Sequence, residues 1–267
     1  MLKDITLGQY FPGNTPLHRL DPRTKLILVI VYIVMLFSAK WFISYGLVLL
    51  FLGVVVALAN MKVGVLLKSM KPLLFIIILT AVLNLLYTKG EVLVSFWIFS
   101  VSREGVEAAV FMALRIAMLI TGTFMLTYTT SPIALTDGLE AILNPLKKIK
   151  LPVHELSMMM CIALRFIPTL IEETDKIMCA QKARGADFET GNLFRRAKAL
   201  IPILVPLFIS SFRRADELAV AMECRCYHGG EGRTRMKQLR YGRIDAAAYV
   251  IVIALTAFVM VLGHFGL

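Results

Sequence analysis

Two arginines stand 41 positions apart, each between small neighbours: Ala183-Arg184-Gly185 and Cys224-Arg225-Cys226. A guanidinium is planar, permanently charged and forked, so it can meet a carboxylate through two parallel hydrogen bonds. Small neighbours leave a thin chain end that a narrow groove admits. Cysteine preserves that steric property at the second motif, although Cys226 lacks glycine's backbone freedom. The pair could therefore plug into acidic recesses on other proteins; the alternative is two arginines on a solvated face, where most surface arginines sit. Asp175 lies nine residues before Arg184 and Asp216 nine before Arg225, and Ala180 matches Ala221 at the same offset of 41. This suggests a weak internal duplication in which each motif closes a helix.

Other chemistry is sparse. The sequence has no Gly-x-x-x-x-Gly-Lys-Ser/Thr loop to cradle phosphates and no His-Glu-x-x-His helix. His18, His154, His228 and His264 are scattered, and Cys224, Cys226 and His228 alternate at a spacing that points them in different directions on a helix. No metal site, no cofactor and no catalytic residue are expected. Arg115 is different, because it lies about two turns inside an apolar run, where a charge costs roughly 2.5–3.5 kcal/mol. Its compensation is either a partner protein or lipid head group, or carbonyls at a helix end. The cluster Met158, Met159 and Met160 reads either as an adaptable surface for exchanging partners or as membrane packing.

The elements that carry these residues follow from hydropathy. With 58% hydrophobic and 18% charged residues, the chain lacks the polar surface to enclose a soluble globule. A bilayer core of about 30 Å takes roughly 20 helical residues. Residues 42–59, 72–87, 106–128 and 246–267 are near that length, and a shorter run at 26–39 spans if Arg23, Lys25 and Lys40 snorkel outward. The expected fold is an all-α integral membrane protein of about five transmembrane helices plus a long cytoplasmic set of amphipathic coupling helices. Its parts are residues 1–130 with four spans, 131–243 as the coupling region, and 244–267 as the last span.

Basic residues are retained on the cytoplasmic side during insertion. With the N-terminus inside, all of the 29 Lys and Arg except Lys40, Lys89, Arg103 and Arg115 fall in cytoplasmic parts. The chain is expected to be multi-pass in the cell membrane, with the N-terminus and residues 131–243 cytoplasmic. That bias accounts for most of the net charge of +11, so the lipid bilayer and not nucleic acid is the expected partner. Cys161, Cys179, Cys224 and Cys226 fall on the reducing side, where no disulfide framework is expected.

Inside the coupling region, Ser131-Pro132 is a helix-start signal, and Leu135, Leu139, Ile142 and Leu146 recur as one apolar face. A second helix is predicted from about residue 153 through Arg184, stopping at Gly185. A third, over residues 191–227, contains Pro202 and Pro206 and is expected to bend or break into two pieces near Pro206. Gly229-Gly230-Glu231-Gly232 reads as a flexible loop. The alternating segment at residues 91–102, around Trp97, is a small hairpin or an interfacial turn.

The chain resembles the transmembrane T component, EcfT, of energy-coupling factor transporters over essentially its whole length. The residues are Leu20-Asp21-Pro22-Arg23-Thr24-Lys25-Leu26, Thr129-Thr130-Ser131-Pro132, Ala163-Leu164-Arg165-Phe166-Ile167-Pro168 and the paired arginine motifs, in that order. The resemblance implies a non-catalytic scaffold docked on two ABC-type ATPase subunits and holding a small membrane substrate-binding S protein, for uptake of vitamins or other micronutrients. It implies that one arginine motif serves each ATPase. The rivals are a membrane-embedded phosphotransferase, which needs a series of spaced aspartates absent around Arg184, and a stand-alone secondary transporter, which needs an intramembrane acidic relay.

Overall fold

The computed structural model describes residues 10–39, 41–61, 63–88, 91–96, 99–188, 192–229 and 238–265. Lys40, Lys89, Trp97, Gly230, Glu231 and Gly232 of the sequence reading lie outside these. The chain is an all-α membrane protein apart from one short hairpin. After a turn of helix α1 (Pro16–Arg19), helix α2 (Pro22–Ser38) starts where the Asp21 carboxylate accepts from the Arg23 N–H at 2.9 Å with Pro22 in the first turn. There follow α3 (Phe42–Leu58), α4 (Val63–Met70), a 3-10 turn at Lys71–Leu73 around Pro72, and α5 (Leu74–Tyr87). Strands β1 (Val92–Phe96) and β2 (Phe99–Ser102) pair antiparallel, and of the two readings of residues 91–102 the hairpin is the one observed. Ser102 then caps α6 (Arg103–Thr129), accepting from Gly105 N–H at 3.1 Å.

Ser131 caps α7 (Pro132–Leu143), with Ala134 N–H 3.3 Å from its hydroxyl. A 3-10 turn (Asn144–Ile149) and Lys150 in the left-handed region, φ 60°, lead to α8 (Val153–Ala183), α9 (Leu193–Glu223) and finally α10 (Arg243–Phe265). The spans read from hydropathy are thus α2, α3, α5, α6 and α10. By length and composition, four helices among the described residues are able to cross a membrane: Gly64–Tyr87, Arg103–Thr129, Arg243–His264 and also Val153–Ala183, with Phe42–Leu58 apolar but shorter. Val153–Ala183 is the least apolar of the four, at a hydropathy of 1.3 against 1.9 to 2.5.

The chain divides into two compact units. One comprises Gly8–Leu139 with Leu239–Leu267, and the other Glu140–Gln238. In the first, α2 lies at the centre: Tyr32, Met35, Leu36 and Ala39 are buried with Tyr45 and Val48 of α3, Met118 of α6 and Val259 of α10. The Tyr32 hydroxyl donates to the Met118 carbonyl at 2.9 Å, and Gly122 lets its ring approach α6. A Cβ on Gly122 would stand inside contact distance of that ring.

Two expectations are corrected. Helix α9 is one continuous element across Pro202 and Pro206. Pro206 has no N–H for the Pro202 carbonyl, and the Gln181 amide of α8 reaches that carbonyl instead, at 3.5 Å. Lys25 does not snorkel. It is 7% exposed, because the end of α6 offers it buried acceptors.

Gly122→Ala should destabilise the detergent-solubilised chain by about 1–3 kcal/mol through overpacking against Tyr32. Gly46→Ala, on α3 with nothing within 4 Å of the new Cβ, should leave it unchanged. Denaturation midpoints of the two variants measure the contrast.

Candidate functional site

Helices α8 and α9 are each 31 residues long and close in the same way. Gly185 takes φ +88°, its N–H bonds the Lys182 carbonyl at 3.0 Å, and Ala186 N–H reaches back to the Gln181 carbonyl at 3.0 Å. Cys226 takes φ +56°, its N–H bonds the Glu223 carbonyl at 2.9 Å, and Tyr227 N–H reaches the Met222 carbonyl at 3.1 Å. This is a Schellman closure twice over, and each donor and acceptor of the second lies 41 positions after its counterpart in the first. The match between the motifs therefore extends to the backbone. Arg184 and Arg225 each stand immediately before the left-handed residue, so the local backbone carries both side chains alike. Both are exposed, and among the described residues neither has a hydrogen-bond or ion-pair partner. Ala183 and Gly185, like Cys224 and Cys226, are exposed beside them.

The same offset joins the two helices. Arg214 of α9 donates to the Glu173 carboxylate of α8 at 2.7 Å, and these residues are also 41 apart. A contact between equivalent positions puts the crossing at the same point on each helix, eleven residues before each motif arginine. At 1.5 Å per residue that leaves an arm of roughly 16 Å on each. The Gln181 contact with Pro202 lies further along α8 but further back along α9. The helices therefore run in opposite senses past each other, and their arginine-bearing ends point apart.

On α8, Met159 is 59% exposed while Met158 and Met160 are half-buried. Arg115 has partners within its own unit. Its Nε donates to the Tyr45 hydroxyl at 2.8 Å and its Nη2 to the Ala39 carbonyl at 3.3 Å, and its guanidinium lies over the Phe37 and Tyr45 rings. The Ala39 carbonyl is at the end of α2, so a helix-end acceptor is in place.

Sequence reasoning missed the buried cluster around Lys25 as a working element. The Lys25 ammonium donates to the Thr129 carbonyl at 2.9 Å and the Thr130 hydroxyl at 3.1 Å, where α6 ends and the chain turns into α7. Asp245, 3% exposed, accepts from Asp21 N–H at 2.9 Å and Gly242 N–H at 2.7 Å, tying the start of α10 to the start of α2. Asp21 and Asp245 both act electrostatically on Lys25. The signal was the Asp21-Pro22 helix start, but nothing in the local sequence pairs it with Thr129 or Asp245.

The model of the CbiQ family, described as a cobalt transport protein, matches residues 13–236. A relative from Acidaminococcus fermentans, named as the energy-coupling factor transporter transmembrane protein EcfT, is 57% identical over 255 residues, 96% of this chain and 95% of the relative. Proteins of the same name from Ruminiclostridium cellulolyticum and Bacillus subtilis are 52% and 48% identical, covering 99% and 98% of this chain and 99% of each relative.

Gly185→Ala should fray the end of α8 at a cost of about 1–2 kcal/mol, while Cys226→Gly should leave the α9 end at least as stable. Amide exchange reads both, accelerated at Ala186 in the first variant and unchanged or slowed at Tyr227 in the second. Lys25→Met should cost about 3–5 kcal/mol by stranding buried acceptors and acids, seen as loss of folded protein in detergent that Lys25→Arg partly restores.

Proposed function

The chain belongs to the CbiQ cobalt transport protein family, among the EcfT transmembrane components of energy-coupling factor transporters, and from that premise we propose that it couples two ABC-type ATPase subunits to a small membrane S protein. The observation that carries this reading is the pair of matched helix ends, each offering an exposed arginine from the same left-handed closure. Two alike plugs suit two alike sockets. Arg184, with Ala183 and Gly185, engages one ATPase; Arg225, with Cys224 and Cys226, engages the other. Each guanidinium meets a carboxylate that desolvates on docking, a contact whose loss typically costs about 2–5 kcal/mol. ATP binding draws the ATPases together and moves the two ends. The Glu173–Arg214 crossing passes that motion between the helices, and they tilt the S protein so that its cargo faces the cytoplasm.

In this reading residues 131–243 and the N-terminus are cytoplasmic, and the protein is multi-pass in the cell membrane. The distribution of basic residues supports that side. Helix α8, although long enough to cross, carries Glu155, Arg165, Glu172, Glu173, Asp175, Lys176 and Lys182, which favours the membrane surface. Met158, Met159 and Met160 offer the S protein an adaptable apolar contact. Arg115, held in place by Tyr45 and Ala39, faces the S protein or lipid with its remaining donors. Hydrolysis belongs to the ATPases, this chain being non-catalytic, and the S protein selects the vitamin or other micronutrient.

Arg184→Glu and Arg225→Glu should each abolish uptake and weaken co-purification of the ATPases, with the chain still in the membrane. Full recovery of both ATPases with the double variant would remove the docking role.

A further inference from the structure

The unit of Gly8–Leu139 and Leu239–Leu267 contains a cavity of about 330 Å³ with an almost wholly apolar lining. Four helices build it, from residues 25–32 of α2, 51–58 of α3, 122–129 of α6 and 244–252 of α10, and the short α1 borders it through Pro16 and Leu17. Each stretch is about eight residues, so the cavity extends roughly 12 Å along the helices. One leaflet of hydrocarbon is about 15 Å deep. The stretches meet at one membrane face, where α2 and α10 begin and α3 and α6 end. Of its polar lining groups, Lys25 and Thr129 are at that end and already bonded to each other, and Tyr32 is at the other.

The chemistry around the mouth is basic. Arg19, Arg240 and Arg243 are exposed and stand within four residues of the lining residues Leu17, Leu20 and Ile244. Asp21 and Asp245 are buried and committed to backbone N–H groups. The other carboxylate nearby, half-buried Asp137 of α7, whose neighbour Gly138 packs on Pro22, is outnumbered by the three exposed arginines, so the net exposed charge there is positive. An α-helix with its side chains is about 10–12 Å across and does not fit the space. A linear hydrocarbon does, since a 150 Å³ apolar cavity already takes a benzene ring. Tyr32 closes the deep end, its hydroxyl held by Met118.

We propose that this cavity is a binding site for an anionic phospholipid, with one acyl chain lying between α2, α3, α6 and α10 and the phosphate head group held at the mouth by Arg19, Arg240 and Arg243. The apolar walls select a chain and the arginines select the charge. Because the chain contacts α2, α6 and α10 together, it fills the space beside the Lys25 cluster and is a structural lipid of the fold. This site is independent of the arginine-motif docking.

The test uses the full-length chain in nanodiscs of equal parts phosphatidylglycerol and phosphatidylcholine, extracted into mild detergent and weighed by native mass spectrometry. The wild-type chain should retain one phosphatidylglycerol in clear preference to phosphatidylcholine. Ala248→Trp, which fills the cavity, should reduce that retention about tenfold. The double variant Arg240→Ala/Arg243→Ala should keep a lipid but lose the preference for phosphatidylglycerol. Leu79→Trp, on exposed α5 and away from the cavity, should behave as wild type. As a measurement that needs no variant, phosphatidylglycerol with a photoreactive acyl chain should crosslink to residues 25–32 and 122–129. Equal retention of the two lipids, retention unaffected by Ala248→Trp, detergent alone in the spectrum, or crosslinks confined to α5 would each overturn the proposal.

Discussion

A buried ammonium holds three helix ends together just before the chain enters α7. Lys25, in the first turn of α2, bonds the last carbonyl of α6 and the Thr130 hydroxyl, while Asp21 and Asp245 supply the opposing charge. In a low-dielectric surrounding, each of these groups is costly without the others and favourable with them. The cluster therefore acts as a unit. It sets where α2 and α10 begin, where α6 stops, and the point from which Ser131 caps the next helix.

Backbone satisfaction follows the same logic elsewhere. Each helix end must find donors or acceptors, and the ends of α8 and α9 do so by a left-handed closure that leaves their arginine side chains uncommitted among the described residues. Cys226 adopts that conformation without glycine's freedom. The hydrogen bonds from Cys226 and Tyr227 offset the strain, and a small thiol keeps the end thin. The crossing at Glu173 and Arg214, at equivalent positions of the two helices, gives the ends arms of equal length. The two ends thus form a nearly symmetric pair in backbone closure and in arm length.

Much of the fold was legible because its causes are local. Asp21-Pro22 and Ser131-Pro132 mark helix starts, apolar runs mark spans, and Gly185 marks a stop. The candidate site was legible for a related reason: a repeated motif at a fixed offset needs only the sequence to be seen. The failures came from non-local partners. Pro202 and Pro206 read as a bend or a break into two pieces, yet α9 is one continuous helix, and the Pro202 carbonyl that Pro206 strands is met from α8 by Gln181. Lys25 read as a snorkelling residue, yet its acceptors are 104 and 105 positions away.

The sequence by itself determined the class of the molecule, the positions of its helices, the two arginine ends and, through its relatives, the family. These depend on hydropathy, capping and spacing, which act over a few residues. Only the tertiary structure decided which charges are buried together, how the two long helices cross, and that an apolar cavity lies among α2, α3, α6 and α10. Those features arise where segments distant in the chain pack, and the free energy of a buried charge or an unfilled cavity depends on its neighbours in space.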